Sequence, residues 1–111
     1  MVELFAISGA RELSPQDAHA LMSRGEILLV DVRDSPEWSQ QHVPGAVNLP
    51  LSELAARFLE LPRDKTVVFF CRSGQRSGRA VDLCRRMNVP HDAHVTGGIL
   101  AWLAAGLPVS S

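Results

Sequence analysis

The 111-residue sequence predicts an α/β fold, a parallel sheet with helices on both faces in a three-layer sandwich. Three observations predict it. Thr66-Val67-Val68-Phe69-Phe70 ends in consecutive apolar residues, too few for an ordinary helix and too uniformly apolar for a half-exposed strand, so it reads as a strand buried on both faces. A second such run, Ile27-Leu28-Leu29-Val30, lies within residues 26–33. Between and beyond them, segments with apolar residues three or four apart alternate with short extended runs through short connections, the pattern of a parallel sheet.

Each element has a local signal. Residues 1–13 lack periodicity and read as an extended lead-in with a short strand. Ser14-Pro15-Gln16-Asp17 supplies a cap, a proline at the first helical position and an acid in the first turn, ahead of Ala18, Leu21 and Met22 on one face, and Gly25 ends that helix. His19 within it reads as a solvated helix residue. In the following strand Asp31 and Arg33, two apart, project from one side at the carboxyl end. Ser35-Pro36-Glu37-Trp38 opens a short helix by the same capping logic. A strand is expected over residues 46–48, and an amphipathic helix over 51–61 closed by Pro62. Ala80, Val81, Cys84 and Met87 form one face of a helix that follows Arg76, and Asn88 can end it in the left-handed conformation before Pro90. Ala93-His94-Val95 reads as the last strand, and Thr96-Gly97-Gly98 turns into a helix over 99–105 with Trp102 in the core.

Composition bounds the function. With 46% hydrophobic residues the chain can bury about two-thirds of its unfolded surface in one core, so residues 1–111 are expected to form one domain. Apolar runs stay short of the ~18 residues of a membrane span, and Met1-Val2-Glu3-Leu4-Phe5 has neither a basic n-region nor a long apolar one. Two cysteines make no disulfide framework and no metal knuckle, which suits a reducing, cytoplasmic setting. Of the four histidines only His91 and His94 are close, and no obvious ligand set surrounds them, so no metal and no cofactor is expected. A net charge of −1 gives no reason to expect nucleic acid or an anionic membrane as partner.

The chemistry concentrates after the central strand. Cys71-Arg72-Ser73-Gly74-Gln75-Arg76-Ser77 is a polar loop between strand and helix, where backbone N–H groups and the positive end of the helix dipole converge on one small volume. An anion belongs there, and the natural one is the thiolate of Cys71. Helix N-termini and guanidinium groups lower cysteine pKa values, and Arg72, Arg76 and Arg79 are all near in sequence. Cys84, on the apolar helix face, suits a small buried hydrophobe. His42 reads as a turn histidine with a structural hydrogen bond, since a thiolate stabilised by amides needs no base.

This loop resembles the active-site loop of the rhodanese-type sulfurtransferases. Val30-Asp31-Val32-Arg33, His42-Val43-Pro44-Gly45-Ala46-Val47-Asn48, Gly97-Gly98-Ile99-Leu100-Ala101-Trp102 and Gly106-Leu107-Pro108-Val109 agree with that family in order, over roughly residues 13–109. The resemblance implies a rhodanese-like fold and a thiosulfate-type sulfurtransferase in which Cys71 carries sulfur as a persulfide from a small sulfur donor to cyanide, a thiol or a protein acceptor. It implies that Arg72, Ser73, Gly74, Gln75, Arg76 and Ser77 form the substrate loop, with Arg72 and Arg76 on an anionic donor, that Asp31 and Arg33 support it, and that Trp38 packs in the core.

Two other readings compete. Related phosphatase loops follow C-x5-R, but Arg76 arrives one place early, Ser77 stands at the sixth position, and Phe70 replaces the histidine that often precedes the cysteine. A rhodanese-like docking module without turnover is the second, and the retention of Cys71 among arginines speaks against it.

Overall fold

A computed structural model describes residues 11–111. In chain order the elements are β1 (Arg11–Leu13), α1 (Pro15–Ser23), β2 (Ile27–Asp31), α2 (Ser35–Gln40), β3 (Val47–Asn48), α3 (Leu51–Arg57), a 3-10 turn (Phe58–Glu60), β4 (Thr66–Phe70), α4 (Gln75–Arg86), β5 (Ala93–Val95) and α5 (Gly98–Ala104). The strands form one sheet in the order β1-β5-β4-β2-β3, and every pair is parallel. The expected α/β sandwich is therefore present, with β4 central and flanked by β2 and β5.

Strand alternation divides the core in two. Val67 and Phe69 of β4 and Val30 of β2 face one side, where Leu54 of α3 and Ala80, Val81 and Cys84 of α4 cover them. Val68 and Phe70, with Ile27 and Leu29, face the other, under Ala18 of α1 and Ile99 and Trp102 of α5. Apolar residues on both faces of β4 explain why its sequence shows no polar alternation. Trp102 is fully buried, meets Phe70 edge-on at 5.6 Å, and donates its indole N–H to the Pro108 carbonyl at 2.8 Å. Truncating Phe69 or Trp102 to alanine would cost about 3–5 kcal/mol.

Several expectations are refined. β1 pairs with β5, Glu12 opposite His94, while residues 1–10 of the expected lead-in lie outside the described residues. The helix expected over 51–61 is α-helical only to Arg57 and tightens into the 3-10 turn, because Pro62 forces Leu61 into an extended conformation. The cap of α2 is Asp34, whose backbone N–H reaches the Glu37 carboxylate at 3.1 Å, one position earlier than the sequence suggests. Trp38 is not in the core: α2 buries no residue, and the indole stacks on His42 with ring centroids 4.0 Å apart. His19 is half-buried, edge-on to Trp102. Asn88 takes φ 59°, and the Val89 and Asn88 N–H groups bond Cys84 and Arg85 carbonyls in a Schellman ending. Among the described residues no helix is long and apolar enough to cross a membrane, and no group of three potential metal ligands is found.

Candidate active site

β4 delivers Cys71 to the carboxyl end of the sheet, next to the start of α4. Its side chain is almost wholly enclosed, yet the sulfur receives the Gly74 N–H at 3.1 Å and the Ser77 N–H at 3.3 Å, with the Ser77 hydroxyl oxygen 3.5 Å away. Burial alone would push this thiol up. The Ser77 hydroxyl, when its proton faces the sulfur, and the backbone N–H groups of Ser77, Gly74 and Ser73 outweigh it and bring Cys71 below the ordinary thiol value.

The loop's shape is enforced from outside. Gly74 caps α4 at φ 101°, a conformation that side chains rarely adopt. The carbonyls of Cys71 and Arg72 are drawn away from the sulfur by the N–H groups of Ile99 and Leu100 at the start of α5, at 2.9 and 3.2 Å. That close approach requires Gly98, where a Cβ would collide with the backbone of Cys71 and Arg72. With its carbonyls held by α5, the loop is free to turn its amides inward.

Charge is placed differently from the sequence expectation. Arg76 is committed to Glu37 of α2 in a two-pronged ion pair at 2.7 and 3.0 Å. That guanidinium, ahead of the opposing effect of burial and with help from the Asp34 N–H, holds the Glu37 carboxyl down at about 2. Arg76 feels the Cys71 charge only weakly beside that of Glu37. The donors at the sulfur are therefore backbone amides, with the Ser77 hydroxyl beside them, and not the arginines. Arg72, Ser73, Gln75 and Arg79 are exposed, and Arg72 pairs with no carboxylate among the described residues.

Asp31 and Arg33 form a buried pair with contacts of 2.9–3.0 Å, and Arg33 reaches on to the Gln41 carbonyl at 2.7 Å. Arg33 thereby holds the residue that ends α2, and α2 carries Glu37 to Arg76. Asn48 completes this bracket by donating to the Asp31 and Arg33 carbonyls at 3.0 and 2.9 Å. His42 makes the expected structural hydrogen bond, from its Nδ1 to the Trp38 carbonyl at 2.8 Å. A cavity lined by Phe58, Leu61, Lys65, Met87 and His91 opens at the opposite, amino ends of the strands.

Two residues were missed. Glu37 looks in sequence like a helix-capping acid, and nothing local ties it to a loop thirty-nine positions on. His94 lies opposite Phe69 in register and puts its Nδ1 2.7 Å from Ser77 Oγ. The readable signal is a histidine inside an otherwise apolar strand; that this strand lies beside β4 comes from the topology.

Residues 14–105 match the rhodanese-like domain family. The chain is 38% identical over 84 residues to a sulfurtransferase of Allochromatium vinosum, covering 76% of this chain and 78% of that protein. It is 30% identical over 111 residues to the thiosulfate:glutathione sulfurtransferase of Homo sapiens, covering 87% and 96%. A crystal structure of a rhodanese-related protein from Thermoplasma volcanium superposes with TM-score 0.81 at 29% identity, covering 90% and 97%. Other curated relatives are longer: the chain spans about half, 54%, of an uncharacterized Synechocystis protein. With this fold and a family match that spans 92 residues (14 to 105), the chain belongs to the rhodanese-like domain family.

Proposed function

We propose that the protein is a sulfurtransferase that moves a sulfane sulfur from a donor such as thiosulfate to a thiophilic acceptor through a persulfide on Cys71. The observation that carries this reading is the enclosed Cys71 sulfur facing the Gly74 and Ser77 N–H groups at 3.1 and 3.3 Å. The Cys71 thiolate attacks the outer sulfur of thiosulfate; a new S–S bond forms, the donor's own S–S bond breaks, and sulfite leaves with the electron pair. The acceptor, a thiolate or cyanide, then attacks the terminal sulfur, and Cys71 leaves as the thiolate. The inward amides offset negative charge on sulfur at both stages.

Arg72 is the arginine open to an anionic donor, while Arg76 shares its charge with Glu37 and shapes the loop's flank. Ser73, Gly74, Gln75 and Ser77 complete the substrate loop, and Asp31 and Arg33 support it through α2. The human relative's name makes a small thiol such as glutathione a natural acceptor to test first. The reading takes residues 1–111 as one domain in a reducing, cytoplasmic setting, supported by two free, buried thiols.

Steady-state transfer from thiosulfate to cyanide and to glutathione tests it. Parallel double-reciprocal lines and released sulfite are expected, and no transfer to either acceptor with an intact fold would overturn it.

A further inference from the structure

His94 is a buried titratable group for which the mechanism above has no use. Its Nδ1 lies 2.7 Å from Ser77 Oγ, and the same oxygen is 3.1 Å from the Gly74 carbonyl and 3.5 Å from Cys71 Sγ. A serine hydroxyl has one proton to donate and lone pairs to accept with. The Gly74 carbonyl already receives the Gly78 N–H at 3.1 Å, so it has the least need of that proton. The contest is between the imidazole and the sulfur.

We propose that His94 is a positioning residue for the nucleophile: its Nδ1 decides whether the Ser77 proton points to the imidazole or to Cys71 Sγ. When Nδ1 is bare, it is the nearest acceptor and takes the Ser77 proton, leaving the sulfur with its backbone donors. When Nδ1 carries a proton, it donates to Ser77 Oγ, and the hydroxyl proton turns to the anionic sulfur, a stronger acceptor than a neutral carbonyl. No atom is consumed or released; one hydrogen bond reverses direction and the next follows.

The charged groups acting on His94 are Glu12 of β1, whose Oε2 is 4.0 Å from Nε2, and Asp82 of α4. From the same helix Gly78 leaves room beside the ring, and β4 contributes the apolar Phe69. Burial outweighs the two carboxylates and keeps His94 below the usual histidine value; the Glu12 carboxylate on the Nε2 side favours the neutral ring's one proton there, so Nδ1 is bare at neutral pH and takes up the second proton in acid. A protonated His94 and a thiolate then stabilise each other, and the two groups titrate as a coupled pair.

This inference rests on Cys71 being the nucleophile, but its test needs only a reactive thiolate. The rate of Cys71 alkylation by iodoacetamide, read by peptide mapping across pH, should show two inflections in the wild type. It should show one in His94→Asn, which keeps an amide but does not titrate, and one in Ser77→Ala. In the double variant the profile should match Ser77→Ala to within about twofold, because the connection is already cut. Two inflections in His94→Asn, or effects that simply add in the double variant, overturn the proposal. Should Ser77→Ala fail to fold, the His94 ring proton on Cε1, followed by NMR in the wild type before and after alkylation, reads the same coupling. Its midpoint should fall when the thiolate is capped, and an unmoved midpoint overturns the proposal. If the alkylation profile behaves as expected but no sulfur is transferred, the functional reading fails and the positioning role of His94 stands.

Discussion

Cys71 and Cys84 stand on the same strand-loop-helix unit and are equally enclosed, at 1% and 0% exposure, yet their thiols are pushed in opposite directions. Burial raises both. Cys84, on the inner face of α4, meets nothing to offset it and is pushed up to about 11. Cys71 meets the backbone amides of its loop, with the Ser77 hydroxyl beside them, and falls below the ordinary value. Enclosure therefore does not make a cysteine inert; the absence of oriented donors does.

The sharpest way to break the comparison is to remove each sulfur in turn. Cys71→Ser should keep the fold and lower thiosulfate turnover by on the order of 10^3-fold or more, because a neutral hydroxyl cannot replace the thiolate. Cys84→Ser should keep the turnover. Sulfite release under saturating donor measures both, and a Cys71→Ser enzyme with near wild-type turnover would remove the contrast.

Next in size is the support behind the loop. Gly98→Ala places a methyl group against the Cys71 and Arg72 backbone, so the loop must shift or the fold must loosen. A loss of about 1–3 kcal/mol is expected, together with slower alkylation of Cys71 and unchanged alkylation of Cys84 in unfolded protein. Urea melts and alkylation rates check it.

A smaller effect concerns charge. Glu37→Gln should free the Arg76 charge and lower the apparent KM for thiosulfate by about two- to fivefold, as expected for a partly exposed pair worth under 1 kcal/mol. Arg76→Ala should raise it, because an unpaired Glu37 then faces the incoming anion. The Glu37 carboxyl sits at about 2 in the fold against 4.5 when unperturbed, so its contribution to stability is fully present above pH 4.5 and is lost as pH falls toward 2. The difference in Tm between wild type and Glu37→Gln should accordingly shrink between pH 5 and pH 2.5, and a constant difference would exclude the pair as its source.

Cys84→Ser should touch stability alone, at a cost of about 1–3 kcal/mol for a hydroxyl placed among Val67, Phe69 and Ala80, with no effect on turnover. A cost near zero in urea would mean that the site admits a hydrogen-bond partner.

How much of this was legible in the sequence follows the range of the interactions. The buried strand at 66–70, the loop after it and the helix face of Ala80, Val81 and Cys84 are local patterns, and all are found in place. Trp38 misled because an aromatic in a six-residue helix can stack on its own turn, here on His42, without entering the core. Arg76 shows the same limit: nearness in sequence places it beside the loop but does not reveal its ion pair with Glu37 across the site. Ser77 was legible as a loop residue, whereas its bond to His94 depends on β5 lying next to β4, a fact of topology that no short motif carries.

The central claim, that oriented donors and not mere exposure select the nucleophile, is met most directly by peptide mapping after brief incubation with thiosulfate. One added sulfur, about 32 Da, is expected on the peptide carrying Cys71 and none on the peptide carrying Cys84, and cyanide or excess thiol should remove it. Added sulfur on Cys84, or on both peptides alike, would contradict the account.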